Sequence, residues 1–109
     1  MKSRIEINIE LDDSNVPEKL DWSSSDGQIS NQEVKAMFLS VFDKDTLDTL
    51  KIELWTKEMQ VGEMDRFVFQ ILRGMSDTYM KATNNSDLSN DMRKFVQYFG
   101  EKTGIIPLN

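Results

Sequence analysis

The fold turns on the run Leu50-Lys51-Ile52-Glu53-Leu54-Trp55-Thr56-Lys57-Glu58-Met59, continued by Gln60-Val61-Gly62-Glu63-Met64-Asp65-Arg66-Phe67 and on to Gly74-Met75-Ser76-Asp77-Thr78. Up to Leu54 apolar residues alternate with polar ones, the period of a strand with one covered face. From Met64 they recur every three or four residues, the period of an amphipathic helix. A strand therefore gives way to a helix within a few residues, and the sequence reads as α+β.

Downstream, Met64, Phe67, Val68, Ile71, Leu72, Met75, Tyr79 and Ala82 form one apolar stripe. A helix of roughly 22 residues at about 1.5 Å each is a rod of about 33 Å, enough to cross a sheet. Gly62 and Gly74 each cost it about 1 kcal/mol relative to alanine, and Gly74 implies a close neighbour against the backbone. Asn84-Asn85-Ser86 breaks the helix, and Ser86 or Ser89 caps a second one carrying Leu88, Met92, Phe95, Val96 and Phe99. Gly100 or Gly104 ends that helix, and Pro107 cannot extend it. Ile105, Ile106 and Leu108 form an apolar tail that docks on the sheet or on a neighbouring subunit.

Upstream, Ile5, Ile7, Ile9 and Leu11 alternate with Glu6, Asn8 and Glu10 in a half-buried strand. Asp12-Asp13-Ser14-Asn15 and Pro17 supply a turn, and Leu20 and Trp22 mark a second, weaker strand. Ser23 to Gln32, with little that is large and apolar, reads as a loop. From Glu33 to Phe42 both alternating sets are largely apolar, so this strand is expected to be covered on both faces. Asp43-Lys44-Asp45-Thr46 turns the chain into the strand at Leu50, a hairpin with a loop longer than two residues. The expected architecture is a four-stranded antiparallel sheet followed by two C-terminal helices on one face, in a single domain spanning residues 1–109.

Composition excludes much chemistry. With 109 residues, 29% charged and 39% hydrophobic, the chain has the balance of one folded domain. Thirteen Lys and Arg against nineteen Asp and Glu give a net charge of −6, which repels nucleic acid and anionic membranes. Cysteine and histidine are both absent, which removes disulfides, thiolate nucleophiles, Cys/His zinc sites and imidazole acid–base catalysis. No cofactor is implied. The N-terminal residues contain no apolar signal-peptide core and no run approaches a membrane span, so a cytoplasmic location is expected.

Candidate sites each meet a structural alternative. Asp43, Asp45 and Asp48 resemble a cation loop, but counting from Asp43 the positions that need glycine and glutamate hold Asp48 and Leu54. Glu63 and Asp65 sit in a first helical turn, where negative charge complements the dipole. Met59, Met64, Met75, Met80 and Met92 mostly fall on stripe positions and fill core, with Met37 and Met80 as exceptions. Trp55 shares its strand face with Lys51 and Glu53, where a large ring is capped by a neighbouring chain or belongs to a contact surface. Nothing resembling a catalytic triad or phosphate loop is present, so no enzyme is expected.

Four sets of residues stand out together: Val16-Pro17-Glu18-Lys19 with Trp22; Leu54-Trp55-Thr56-Lys57 with Met59; Glu63-Met64 with Arg66-Phe67; and Gly74-Met75 with Asp77-Thr78. In their order and spacing they resemble the GldC family of gliding-motility-associated proteins from Bacteroidetes. The likeness covers most of residues 4 to 83, and the last helix matches in length and pattern only. It implies an accessory protein of the gliding or export apparatus with protein partners and no known enzymatic activity. The candidate partner-binding residues are Trp55, Lys57, Arg66 and Met37, and the two-sided strand adds the expectation of a homo-oligomer. Four strands followed by two helices is also the order in SecB-type export chaperones, which makes a holdase for unfolded export clients the alternative.

Overall fold

The structure, a computed structural model, describes residues 1–107. Five strands precede two helices: β1 (Ile5–Leu11), β2 (Pro17–Ser24), β3 (Ile29–Val34), β4 (Ala36–Phe42), β5 (Thr49–Trp55), α1 (Val61–Thr83) and α2 (Ser86–Lys102). Strands β1, β2 and β3 form one antiparallel sheet in that order, and β4 and β5 form a second. The α+β class holds. The single four-stranded sheet does not, and the topological analogy with SecB-type chaperones goes with it.

Two local features account for the difference. The stretch expected as one strand from Glu33 to Phe42 is interrupted by a bend at Lys35, whose carbonyl accepts a hydrogen bond from the Thr56 N–H at 2.9 Å. The segment expected as a loop, 23–32, turns at 25–28 and returns as β3. Its sequence Ser30-Asn31-Gln32-Glu33 is polar, and the strand is held by its ladder and by the Asn31 N–H donating to the Ser23 hydroxyl at 2.9 Å. Gln28 and Asn31 accept positive φ angles of 56° and 47° at the turn and at the irregular pairing beside it.

The chain divides into two compact units, Met1–Met59 and Gln60–Asn109. In the strand unit, Leu20 pairs with Ile9 on one side and Val34 on the other and is completely buried. Its β1 neighbours are far less covered: Ile5, Ile9 and Leu11 are exposed, and Ile7 alone of that row is half-buried. The expectation that the 33–42 strand is covered on both faces also fails within this chain, since Leu39, Val41 and Phe42 are exposed.

In the helical unit, α1 opens with the Glu63 carboxylate accepting from the Gln60 N–H at 3.1 Å and closes on Asn84, left-handed at φ 58°. The cap of α2 is Asn85, whose side chain accepts from the Leu88 N–H, rather than Ser86 or Ser89. Ser89 is buried instead, and its hydroxyl donates across to the Ser76 carbonyl at 2.9 Å. Two small buried serines thus let the helices approach where larger side chains would separate them. Gly104, at φ 79°, turns the chain after α2. The Ile106 N–H then bonds the Gly100 carbonyl at 2.9 Å, folding Ile105 and Ile106 back over the helix pair; Leu108 lies outside the described residues.

The core of this unit is Phe69 with Val96, and Phe69 stands off the stripe read from the sequence. Gly74 has no neighbour within 4 Å of a built Cβ, so the expected close packing there is absent. That role falls to Gly100, where a Cβ would stand 2.5 Å from Ile106 Cδ1 and 2.7 Å from Phe69 Cε1. Gly100→Ala is expected to lower stability by about 1–3 kcal/mol through overpacking, whereas Gly74→Ala raises it by up to about 1 kcal/mol. Thermal denaturation of the two variants measures both signs.

Candidate functional site

Asp12 organises the corner of the strand unit that carries Trp55. Its carboxylate accepts from the Ser14 and Val16 N–H groups at 2.8 and 3.0 Å, closing the β1–β2 turn, and its other oxygen pairs with the Lys57 ammonium. The Lys57 hydrogen bond, then the Val16 N–H, holds this carboxyl down at about 2, against the opposing effect of desolvation. Hydrogen bonding to Asp12 in turn raises the Lys57 pKa. The turn after β1 and the segment after β5 are thereby tied together, although they are 45 residues apart (57 − 12).

Beside this tie, Asn15, Val16 and Pro17 face Glu53, Leu54 and Trp55 across a shallow depression of about 260 Å³. Trp55 pairs with Ala36 and is 52% exposed. Lys57 is next to it in the chain but is engaged by Asp12. Met37, half-buried, pairs with Leu54 and so lies on the opposite face of the β4–β5 hairpin from Trp55. Arg66 belongs to α1, in the other unit. The four residues expected from the sequence are therefore not one cluster: Trp55 and Lys57 share a corner, and Met37 marks a different surface.

That second surface is apolar throughout. The pairs Met37–Leu54, Leu39–Ile52 and Val41–Leu50 line one face of the hairpin, and Leu39, Val41, Leu50 and Ile52 are 40–61% exposed. The opposite face carries the Lys51–Glu53 ion pair at 2.7 Å. A two-stranded sheet is marginal by itself in water, and a contiguous exposed apolar row of this kind is uncommon on a free monomer.

Arg66 leads to a third feature. With Phe69, Gln70, Arg73, Ser76 and Asp77 of α1, Arg93, Val96 and Gln97 of α2, and Ile105 and Ile106, it lines a cavity of about 580 Å³ within the helical unit. Arg73 and Arg93 were not singled out in the sequence, although the spacing Arg66, Gln70, Arg73, Asp77 places all four on one helical stripe.

The remaining carboxylates serve structure. Asp43 accepts from the Thr46 and Asp45 N–H groups at 2.8 and 3.0 Å, which lowers its pKa and closes the β4–β5 turn. Among the described residues no three acidic side chains converge as a cation site, and no helix is long and apolar enough to cross a membrane.

These features define a small α+β protein with three distinctive surfaces: an exposed tryptophan at a braced corner, an apolar hairpin face and an arginine-lined cavity. The chain belongs to the GldC-like family of gliding-motility-associated proteins, whose model matches residues 17–105. The match runs through α2, further than the resemblance read from the sequence. Neither the curated proteins nor the solved structures contain a significant match.

Two outcomes test this geometry. Asp12 in the folded chain titrates below its ordinary value of 3.8, so its ion pair contributes in full above that pH and is lost as pH falls toward about 2. Lys57→Met should shrink that loss, so stability curves of variant and wild type converge between pH 3.8 and 2; a constant separation contradicts the role given to the pair. Separately, the Thr56 hydroxyl is buried with no hydrogen-bond partner among the described residues. Thr56→Val should therefore raise stability by about 1 kcal/mol, read from denaturant midpoints.

Proposed function

We propose that the protein is a non-enzymatic accessory interaction protein of the gliding-motility or export machinery, acting in the cytoplasm and meeting its protein partner at the Trp55 corner. The observation that carries the reading is the meeting of two sequence-distant family segments. Val16-Pro17 and Leu54-Trp55 line one depression, and the Asp12–Lys57 pair beside it fixes its walls. A half-exposed indole in a pre-organised setting loses little conformational freedom on binding, which is the profile of an interface anchor. Affinity capture from the native cell should recover a motility or envelope component with wild-type protein and lose it with Trp55→Ala. Recovery of no such component by the wild type contradicts the proposal.

The apolar hairpin face supports two further readings. One is a homo-oligomer in which a second copy covers Leu39, Val41, Leu50 and Ile52. Light scattering at high micromolar concentration should then give a mass above the 12.7 kDa of one chain, and a monomer at that concentration removes the idea. The other is a holdase that offers the same face, with Met37 at its end, to unfolded export clients. Failure to slow aggregation of an unfolded test protein removes that one.

A further inference from the structure

The cavity of the helical unit joins a cationic rim to an apolar floor. Arg66, Gln70 and Arg73 stand on one stripe of α1 and Arg93 and Gln97 face them from α2, while Phe69, Val96 and Ile106 lie beneath. We propose that this cavity binds an acidic peptide segment of a protein partner, with a carboxylate held by Arg66 and Arg73 and a neighbouring apolar side chain seated over Phe69, Val96 and Ile106. This goes beyond the assignment to the gliding machinery. It fixes the ligand chemistry of a separate surface, and purified protein tests it whatever meets Trp55.

The charges divide unequally among the three arginines. Arg93 is occupied: its guanidinium donates to Asp77 at 3.2 Å and to Asn90 at 3.1 Å. The bond to Asp77 engages the one acidic side chain that lines the cavity among the described residues. Arg66 and Arg73 have no carboxylate partner among the described residues. Arg73 is nonetheless held in place, its guanidinium lying 5.5 Å from the centre of the Phe69 ring. An oriented guanidinium without a counterion is suited to fork-like binding of a carboxylate.

The setting narrows the ligand class. A chain of net charge −6 repels an extended polyanion at long range, so the cationic rim acts only on a short ligand whose charge is local. The apolar floor adds a requirement that a bare anion does not meet. A volume of about 580 Å³ is in the range of sites that enclose a small ligand or a few peptide atoms' worth of side chain. A carboxylate beside an apolar side chain satisfies charge, floor and size together.

The test is a titration of the full chain, isotope-labelled for NMR, with the blocked tripeptide acetyl-Leu-Glu-Leu-amide, its Gln counterpart and inorganic phosphate. The acidic peptide should produce saturable shifts at the Arg66 and Arg73 Nε–H groups and at Val96. Affinity should fall at least roughly tenfold for the Gln peptide and for the Arg66→Gln/Arg73→Gln double variant. Both arginines are exposed, so the double variant is expected to fold, with a melting temperature lowered only by loss of the Arg73–Phe69 contact, and retention of the wild-type amide spectrum away from the cavity serves as its control. No saturable shift, or equal affinity for the Gln peptide, overturns the proposal. Phosphate binding the same groups as tightly as the acidic peptide also overturns it, because the site would then be one for a free inorganic anion.

Discussion

A chain of 109 residues has room for no more than one modest interior in which to hide its apolar side chains. Among the described residues only Leu20, Phe69 and Val96 qualify as buried apolar core, and everything else in the molecule depends on that scarcity. The strand unit is held by antiparallel ladders and the Asp12 tie, the helical unit by caps and the Ser89–Ser76 hydrogen bond. The surplus is displayed: rows of isoleucine, leucine and valine stand on strand faces, and a tryptophan stands at a corner. Such a surface is costly in water unless something covers it, which is why the functional reading is one of contact rather than chemistry.

What the sequence revealed follows from which forces shape each segment. The helices were legible because their apolar residues recur at 3.6, and the hairpin β4–β5 because Leu50, Ile52 and Leu54 alternate so cleanly. β3 was not legible, since Ser30-Asn31-Gln32-Glu33 carries no apolar alternation and its pairing comes from backbone hydrogen bonds. The bend at Lys35 was hidden for the opposite reason: apolar residues continue on both sides of it, and a hydrogen bond from distant Thr56 marks the break. Phe69 escaped because the buried residues of α1 are Phe69 and Ser76, off the apolar stripe, and one aromatic with one serine makes no apolar period.

Of the candidate site, the sequence singled out Trp55 and Lys57 but not what braces them. The Asp12 turn was visible as a turn, yet its pairing with Lys57 spans the strand unit and no local pattern encodes it. The same holds for the helical cavity. Arg66 was singled out alone, and Arg73 and Arg93 acquire meaning only once α1 and α2 lie side by side. Family membership fits this division: two of the resemblance segments converge at the Trp55 depression, and the other two lie on α1, contributing Arg66 and Asp77 to the cavity.

The central claim is that the Trp55 corner is where this protein meets its partner. A photo-crosslinking amino acid placed at position 55 in the native cell, with one at exposed Lys44 in the turn at the far end of the same β4–β5 hairpin as the control, addresses it directly. The account predicts a defined adduct from position 55 to a component of the motility or envelope apparatus, and none of that adduct from position 44. No adduct from position 55, or the same adduct from both positions, would contradict it.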